Sequence, residues 1–295
     1  MSQLPRQTTL ATSCTIGGRG FWTGKQNTLT IVPAEANAGI QFVRTDLPGH
    51  PRVPALSEFS KGISMRTQLG HGFADFEMVE HVMSALYGLG ITNCEVHCTA
   101  AEMPGFDGSS HRLSLALSSA GQVELTEPRT TFVADSTIEI CDEDKLIRLE
   151  PPTEPDSNAL FVEYQLDYGA NSPIGQSTFA TQVTPEIYAQ EIAPARTFIS
   201  AADAAKLQLA GIATHVSERD LLVFDEQGPV NNELRFPDEC ARHKALDVLG
   251  DLALAGVHLI GRITAIRSGH QLNGQLASAI QDRVKQRQFQ THRAA

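Results

Sequence analysis

Two α+β domains of similar layered topology, each a β-sheet faced by helices, are the fold that the order of elements predicts for this 295-residue chain. Three observations carry that expectation. The length has room for two ordinary domains or one large one. Strand-like runs fill the first part of each half. Each half then ends alike, in a helix stopped by glycine, a strand, a glycine-containing loop and a further helix, the two copies lying about 160 residues apart.

In the first half, residues 8–15, 27–33, 40–44 and 65–69 read as strands punctuated by Gly and Pro turns. Residues 78–87 read as a helix, because Val79, Val82, Met83 and Leu86 recur at i, i+3, i+4 and i+7 before Gly88 and Gly90 stop it. A strand at 91–98, a Gly/Pro-rich loop at 103–110 and a helix at 111–119 follow. A composition change with Pro128 sets the expected boundary, giving domains at 1–126 and 127–295. The second half begins with strands at 131–139, 146–149 and 160–166. Thr184 is a good cap and Pro185 a good first residue for a helix reaching 192. Residues 202–232 read as an insertion of short helix and strands. A long helix at 238–255 stops at Gly256, and a strand at 258–266, a loop at 267–270 and a helix at 272–285 complete the chain.

Charge narrows the function classes. Lys and Arg number 23 against 34 Asp and Glu, a net charge of −11 without any basic tract, which repels nucleic acid and anionic lipid. A phosphorylated small molecule therefore needs a local basic pocket. No apolar run approaches the length of a membrane span, and residues 1–10 lack the basic and apolar blocks of a secretory signal. Five cysteines, an odd number without a framework, fit a reducing compartment, so the expected location is the cytoplasm. Cys94 and Cys98 share a strand face with Val96 and read as buried small hydrophobes rather than ligands.

Three constellations can carry chemistry. On the helix at 238–255, Glu239, His243, Asp247 and Asp251 form an i+4 ladder opposite Ala241, Ala245, Val248, Leu249 and Leu252. An imidazole and a carboxylate at i and i+4 are ready ligands for Zn²⁺, the alternative being a solvated face with an incidental histidine. Glu80, His81 and Ser84 fall on a narrow polar arc of an otherwise apolar helix and need partners, which a catalytic site or a hydrogen-bonded core histidine equally supplies. His270, in the loop 267–270, can reach a cleft as general acid, with Asp251 as an orienting carboxylate, or stand near the surface at a helix start. The segment Gly18–Lys25 fails as a phosphate loop, since Arg19 stands where the first Gly belongs and Gln26 replaces Ser/Thr. Neither a dinucleotide fingerprint nor a Gly-x-Ser-x-Gly elbow is present.

The motifs MVEHVMSAL (78–86), EMPGFDGS (102–109), ARTF (195–198), LRFPDE (234–239), RHKALD (242–247) with GDL (250–252), and SGH (268–270) with LN (272–273) occur in that order. Together they make the chain resemble the UDP-3-O-acyl-N-acetylglucosamine deacetylases, zinc amidases of lipid A biosynthesis, over residues 7–286. The resemblance implies two β-α-α-β layered domains with helices sandwiched between sheets. It implies zinc ligands His81, His243 and Asp247 with a fourth position left for water, although a His₂Asp set also accepts Fe²⁺. Glu80 would then act as base, Thr197 would steady the oxyanion, and His270, supported by Asp251, would protonate the leaving amine. Lys244 is implied near the substrate phosphates, Phe198 against sugar or uracil, Tyr168 against the base, and the insertion 202–232 as an apolar passage for the acyl chain. The expected partner is a UDP-linked acylated amino sugar, met by a monomer in transient contact with the inner-membrane surface.

Departures lie away from the metal set. The family's usual Gly-Leu-His-x-Gly reads GFWTG at 20–24, its Gly-Gly-Ser opening of the insertion reads GIAT at 211–214, and PGFD stands at 104–107 in place of a more apolar pair before the Asp. Two alternatives stay open: an amidase for another acylated nucleotide sugar, or a non-catalytic sugar-lipid binding protein. Retention of a base, an acid and three ligands argues for catalysis, because binding alone needs no such set.

Overall fold

A helix buried on every side must be covered on both flanks, and two helices of this chain meet that description. The computed structural model describes residues 5–62, 65–153 and 158–294. Its first half runs β1 (Arg6–Leu10), β2 (Cys14–Arg19), β3 (Gln26–Pro33), β4 (Ile40–Arg44), β5 (Arg52–Pro54), β6 (Gln68–His71), β7 (Ala74–Glu77), α1 (Glu80–Leu89), β8 (Cys94–Cys98), α2 (His111–Ala120) and β9 (Gln122–Pro128). The second runs β10 (Thr131–Val133), β11 (Ile138–Asp142), β12 (Lys145–Glu150), β13 (Leu160–Asp167), β14 (Gln176–Gln182), α3 (Pro185–Ile187), β15 (Phe198–Ser200), α4 (Ala201–Leu209), β16 (Leu222–Asp225), β17 (Gly228–Pro229), α5 (Glu239–Leu252), β18 (His258–Ile266) and α6 (His270–Ala294).

The repeat expected from sequence is present in the pairing. The first sheet is ordered β2-β3-β8-β4-β5 and the second β11-β12-β18-β13-β14. In each, the strand after the central helix is the middle strand, antiparallel to one neighbour (β3 or β12) and parallel to the other (β4 or β13). Helices α1 and α5 pack on each other between the sheets, with α2 beside α1 and α6 beside α5. All of α1 is buried except Tyr87, and all of α5 except Arg242 and Lys244. Their close approach needs Gly250, because a Cβ there would lie 2.1 Å from the Glu80 carbonyl oxygen.

Several predicted boundaries move, each for a local reason. The expected strand 8–15 is two, because Ala11 and Thr12 bond to Gly121 and Ala120 at the end of α2 and turn the chain. The strand expected at 131–139 changes partners midway: β10 runs parallel to β18, whereas β11 pairs antiparallel with β12. The strand expected at 65–69 begins at Gln68. Thr184 does cap α3, its side chain accepting from the Ile187 amide, but a π-turn at Tyr188–Ile192 replaces the rest of that helix. His270 opens α6 rather than ending a loop. Strand β9 pairs with β1 as far as Pro128. The insertion carries most of α4 with β16 and β17, and β15, just before it, completes their three-stranded sheet. Cys94 and Cys98 are fully buried, as small hydrophobes should be.

Candidate active site

Site construction begins with two strained entries. Met78, just before α1, and Arg267, just before the Ser268–Gly269 turn into α6, both hold positive φ (58° and 51°), conformations costing about 1–3 kcal/mol outside glycine. They aim Glu80, His81 and His270 into one cleft of about 490 Å³, whose walls also carry Thr197, His243 and Asp247. Side chains from both halves therefore meet across the α1–α5 contact.

His81, His243 and Asp247 are buried, and their ligand-capable atoms lie within 4.8 Å of one another. The Asp247 Oδ1 atom is 3.4 Å from His243 Nε2 and 3.9 Å from His81 Nε2. His243 Nδ1 faces the Ala195 carbonyl at 3.0 Å, which fixes the ring and leaves Nε2 for the cleft. Metal ligation needs neutral imidazoles and an ionised carboxylate. Burial, reinforced by the facing imidazole of His243, pushes His81 down to about 3. Burial likewise pushes His243 down. For Asp247, burial works upward, but Lys244 and the three histidines outweigh it and hold the carboxyl well below its ordinary range. The buried Nδ1 of His81 has no hydrogen-bond partner among the described residues. This donor set fits a divalent ion of the kind that binds N and O ligands.

Around the trio stand two proton-handling groups. Burial, with Asp251 and Asp247 nearby and His270 opposing, raises Glu80 to about 7. Burial would lower His270, but Asp251 at 2.9 Å from its Nδ1, together with Asp247 and Glu80, carries it up to about 9. Asn273 Nδ2 donates to the same Asp251 oxygen at 2.9 Å. One group near neutrality and one held protonated above it form an acid–base pair.

The profile of the UDP-3-O-acyl N-acetylglycosamine deacetylase family matches residues 7–282. The chain belongs to this family. It is 39% identical to the UDP-3-O-acyl-N-acetylglucosamine deacetylase of Anaeromyxobacter dehalogenans, over 93% of this chain and 87% of that protein. The protein of the same name from Thermosynechococcus vestitus is 37% identical over 94% and 95%, and that from Geotalea uraniireducens 35% over 94% and 89%.

In this deacetylase-family chain the remaining motifs hold the site together. Arg196 donates through its backbone N, Nε and Nη2 to Glu239, which is 0% exposed. Glu239, a member of the predicted ladder, thus anchors the 195–198 strap to α5 and stays away from the metal-capable trio. Thr197 N bonds to the Gly108 carbonyl at 2.8 Å, and Arg235 pairs with Asp107 at 2.7 Å, joining the halves at the EMPGFDGS loop. Buried Glu102 accepts from Trp22 N, Thr23 N and Thr23 Oγ1, fixing the 20–24 loop so that Phe21 and Trp22 line the cleft. Arg66 lies over the Trp22 ring at 4.5 Å. Lys244 points inward, its Nζ 2.7 Å from Asp247 Oδ2 and 5.7 Å from the Phe198 ring centre. Tyr168 meets Phe198 edge-on at 5.7 Å.

Sequence reading missed Thr67. Its backbone N–H donates to Glu80 Oε2 at 3.0 Å, its hydroxyl donates to Asp251 Oδ1, and that hydroxyl oxygen lies 3.3 Å from His270 Nδ1. Thr67 lies just before β6, inside the run expected as a strand at 65–69, and nothing in that run signals its partners, which only tertiary structure reveals. Thr67→Val keeps the backbone donor and removes the hydroxyl, a hydrogen bond to a charged group of about 1.5–3 kcal/mol. The expected outcome is kcat reduced about tenfold or more, with KM and metal content unchanged and activity restored in Thr67→Ser. Steady-state kinetics on the three proteins check it.

Proposed function

We propose that the chain is a zinc-dependent amidohydrolase that removes the acetyl group from UDP-3-O-(3-hydroxyacyl)-N-acetylglucosamine, giving acetate and the free amine of lipid A biosynthesis. The observation carrying this reading is the meeting, in one cleft, of a His₂Asp trio with a carboxyl near neutrality and a protonated imidazole.

His81, His243 and Asp247 would hold a divalent ion, which would supply Lewis acidity toward water and the amide carbonyl. Glu80 takes a proton from the water as its oxygen bonds to the carbonyl carbon. The Thr197 hydroxyl donates to the carbonyl oxygen as that oxygen gains charge. His270, held protonated by Asp251, gives its proton to the nitrogen as the C–N bond breaks. Lys244 keeps Asp247 ionised. With Lys145 and Arg267 it also lines a groove of about 630 Å³ beside the cleft, where three cations face one lining carboxylate, Asp167, and Arg267 pairs with Asp144, a setting more basic than the protein as a whole and suited to the diphosphate. Phe198 and Tyr168 offer ring faces for sugar and uracil. Ile199, Leu207, Val216 and Leu221, lining the same cleft, suit the acyl chain.

The halves divide near residue 127 in this reading, each supplying part of the site. Among the described residues no helix is long and apolar enough to cross a membrane. In this reading the enzyme works in the cytoplasm, where nucleotide sugars and its five unpaired cysteines belong, as a monomer touching the membrane surface transiently. Trp22 on the cleft wall favours a second reading, in which the same amidase prefers a different acyl chain or sugar.

The deciding experiment measures acetate release from that substrate by purified protein, before and after chelation, with zinc or Fe²⁺ added back. Turnover restored by zinc supports the reading. A zinc-loaded protein without turnover overturns the substrate and directs the search to other acylated nucleotide sugars.

The two titrating groups also set a pH profile. The base works deprotonated, so activity falls as pH drops below about 7, and a cation beside Glu80 moves that limb lower. The acid works protonated, so activity falls as pH rises past about 9. Asp251→Asn removes a charge that raises both groups, so both limbs of kcat/KM against pH should move to lower pH. An alkaline limb left in place would remove His270 as the acid.

A further inference from the structure

The carboxyl ends of α1 and α5 frame a second cavity, of about 310 Å³. Along α1 it lies roughly 13 Å beyond His81, at 1.5 Å per residue. Both halves contribute to its wall, with Ile40, Leu56 and Tyr87 from the first and Val257 and His258 from the second, and Arg129 reaches in from the segment joining them.

Its chemistry differs from that of the surrounding protein. Among the described residues no carboxylate lines it, although the chain carries a net charge of −11. Arg129 Nη2 donates to the Gly90 carbonyl that closes α1. Its Nη1 has no acceptor among the described residues, and no described carboxylate pairs with the guanidinium. A carboxylate that accepts from this free charged donor makes a hydrogen bond of the charged kind, about 1.5–3 kcal/mol. The neighbouring amides are already spent: Gln7 and Asn93 bond to each other, to Asn37, to Gly39 N and to backbone carbonyls. Tyr87 and His258 stack at 6.2 Å with 27° between their planes. Burial keeps His258 neutral, with its pKa pushed down to about 4. One cation with an unused donor beside apolar and aromatic walls suits a single negative charge on an apolar body. The helix carboxyl ends oppose any anion, so the lone Arg129 charge can offset one negative charge but not the two of a phosphate dianion, which favours helix amino ends and clustered cations.

We propose that this cavity binds a small amphiphilic monocarboxylate, with its carboxylate on Arg129 and its apolar body against Ile40, Leu56 and Val257. Such a ligand touches both halves at their junction and stabilises their association by mass action.

Decanoate titrated into zinc-loaded, ¹⁵N-labelled protein tests this, because amide shifts report where it binds. Saturable shifts at Gly90, Ile91, Thr130 and Val257 are expected, weakened at least tenfold in Arg129→Met and absent with uncharged decanamide. Ala38→Trp, at the cavity wall, should abolish them as well. In both variants, shifts near Thr197 and Gly269 from carboxylate entering the catalytic cleft should persist, showing that the fold is intact. Shifts confined to the cleft, equal affinity in Arg129→Met, or equal binding of decanamide would each overturn the proposal.

Discussion

Replacing Glu80 by glutamine is expected to lower kcat by about 10²- to 10⁴-fold, the usual contribution of a positioned general base, while metal content stays at the wild-type level. The substitution preserves volume, and the amide oxygen can still accept from the Thr67 N–H that now meets Glu80 Oε2 at 3.0 Å. Only the capacity to take a proton is lost. Burial distinguishes this loss from damage to the fold. Glu80 is 4% exposed with its pKa raised to about 7, so its ionised form is held against desolvation at a cost to folding near neutral pH. A neutral glutamine carries no such cost, so the variant should melt at the wild-type temperature or above it. Rapid-quench acetate release, zinc analysis and a melting curve on one preparation give the three readouts. Activity above a tenth of wild type would remove Glu80 as the base, and a fall in zinc would mean that it supports the ligand set instead.

Much of this arrangement is legible in the sequence because it repeats or keeps helical spacing. The i, i+4 placement of His243 and Asp247 survives folding, since a helix fixes which side chains share a face. The twofold order of helix, strand, loop and helix is likewise visible, and the two sheets it predicts have the same strand order. What sequence hides is the choice among partners. Glu239 occupies the same ladder as His243, yet Arg196 claims it from a strap more than forty residues away. The direction of Lys244 is a rotamer choice, and Asp247 takes it at 2.7 Å. The run 131–139 reads as one strand, but the chain breaks at Asp135–Ser136 and its two parts have different neighbours, which only the second sheet reveals. Gly250 reads as an ordinary weak point in a helix until the backbone of Glu80 is seen against it. That contact sets the separation of α1 and α5, and so the spacing between His81 on one and the His243–Asp247 pair on the other.

Asp247→Ala should be the most damaging change to the metal site. Losing a partner that merely orients a ligand typically weakens metal affinity by about 10- to 100-fold, so loss of the ligand itself should exceed that range. Charge makes the effect larger here. Asp247 is the anion of the trio, and it also holds Lys244 at 2.7 Å. Without the carboxylate, a divalent ion would face two neutral imidazoles with an unpaired ammonium close by. Zinc per chain, measured after equilibration against buffered free zinc, should fall from one to a small fraction, with turnover falling in parallel. Asp247→Asn separates ligation from packing, since it keeps the volume while offering only a weak amide oxygen. It should lose zinc nearly as fully without the cavity that alanine leaves. Adding Lys244→Met to Asp247→Ala removes the stranded ammonium and should return part of the zinc affinity, because one repulsive charge is gone, but little of the turnover. Unchanged zinc stoichiometry in both single variants would mean that Asp247 serves only to pair Lys244, and that the ion is held by His81 and His243 with some other group.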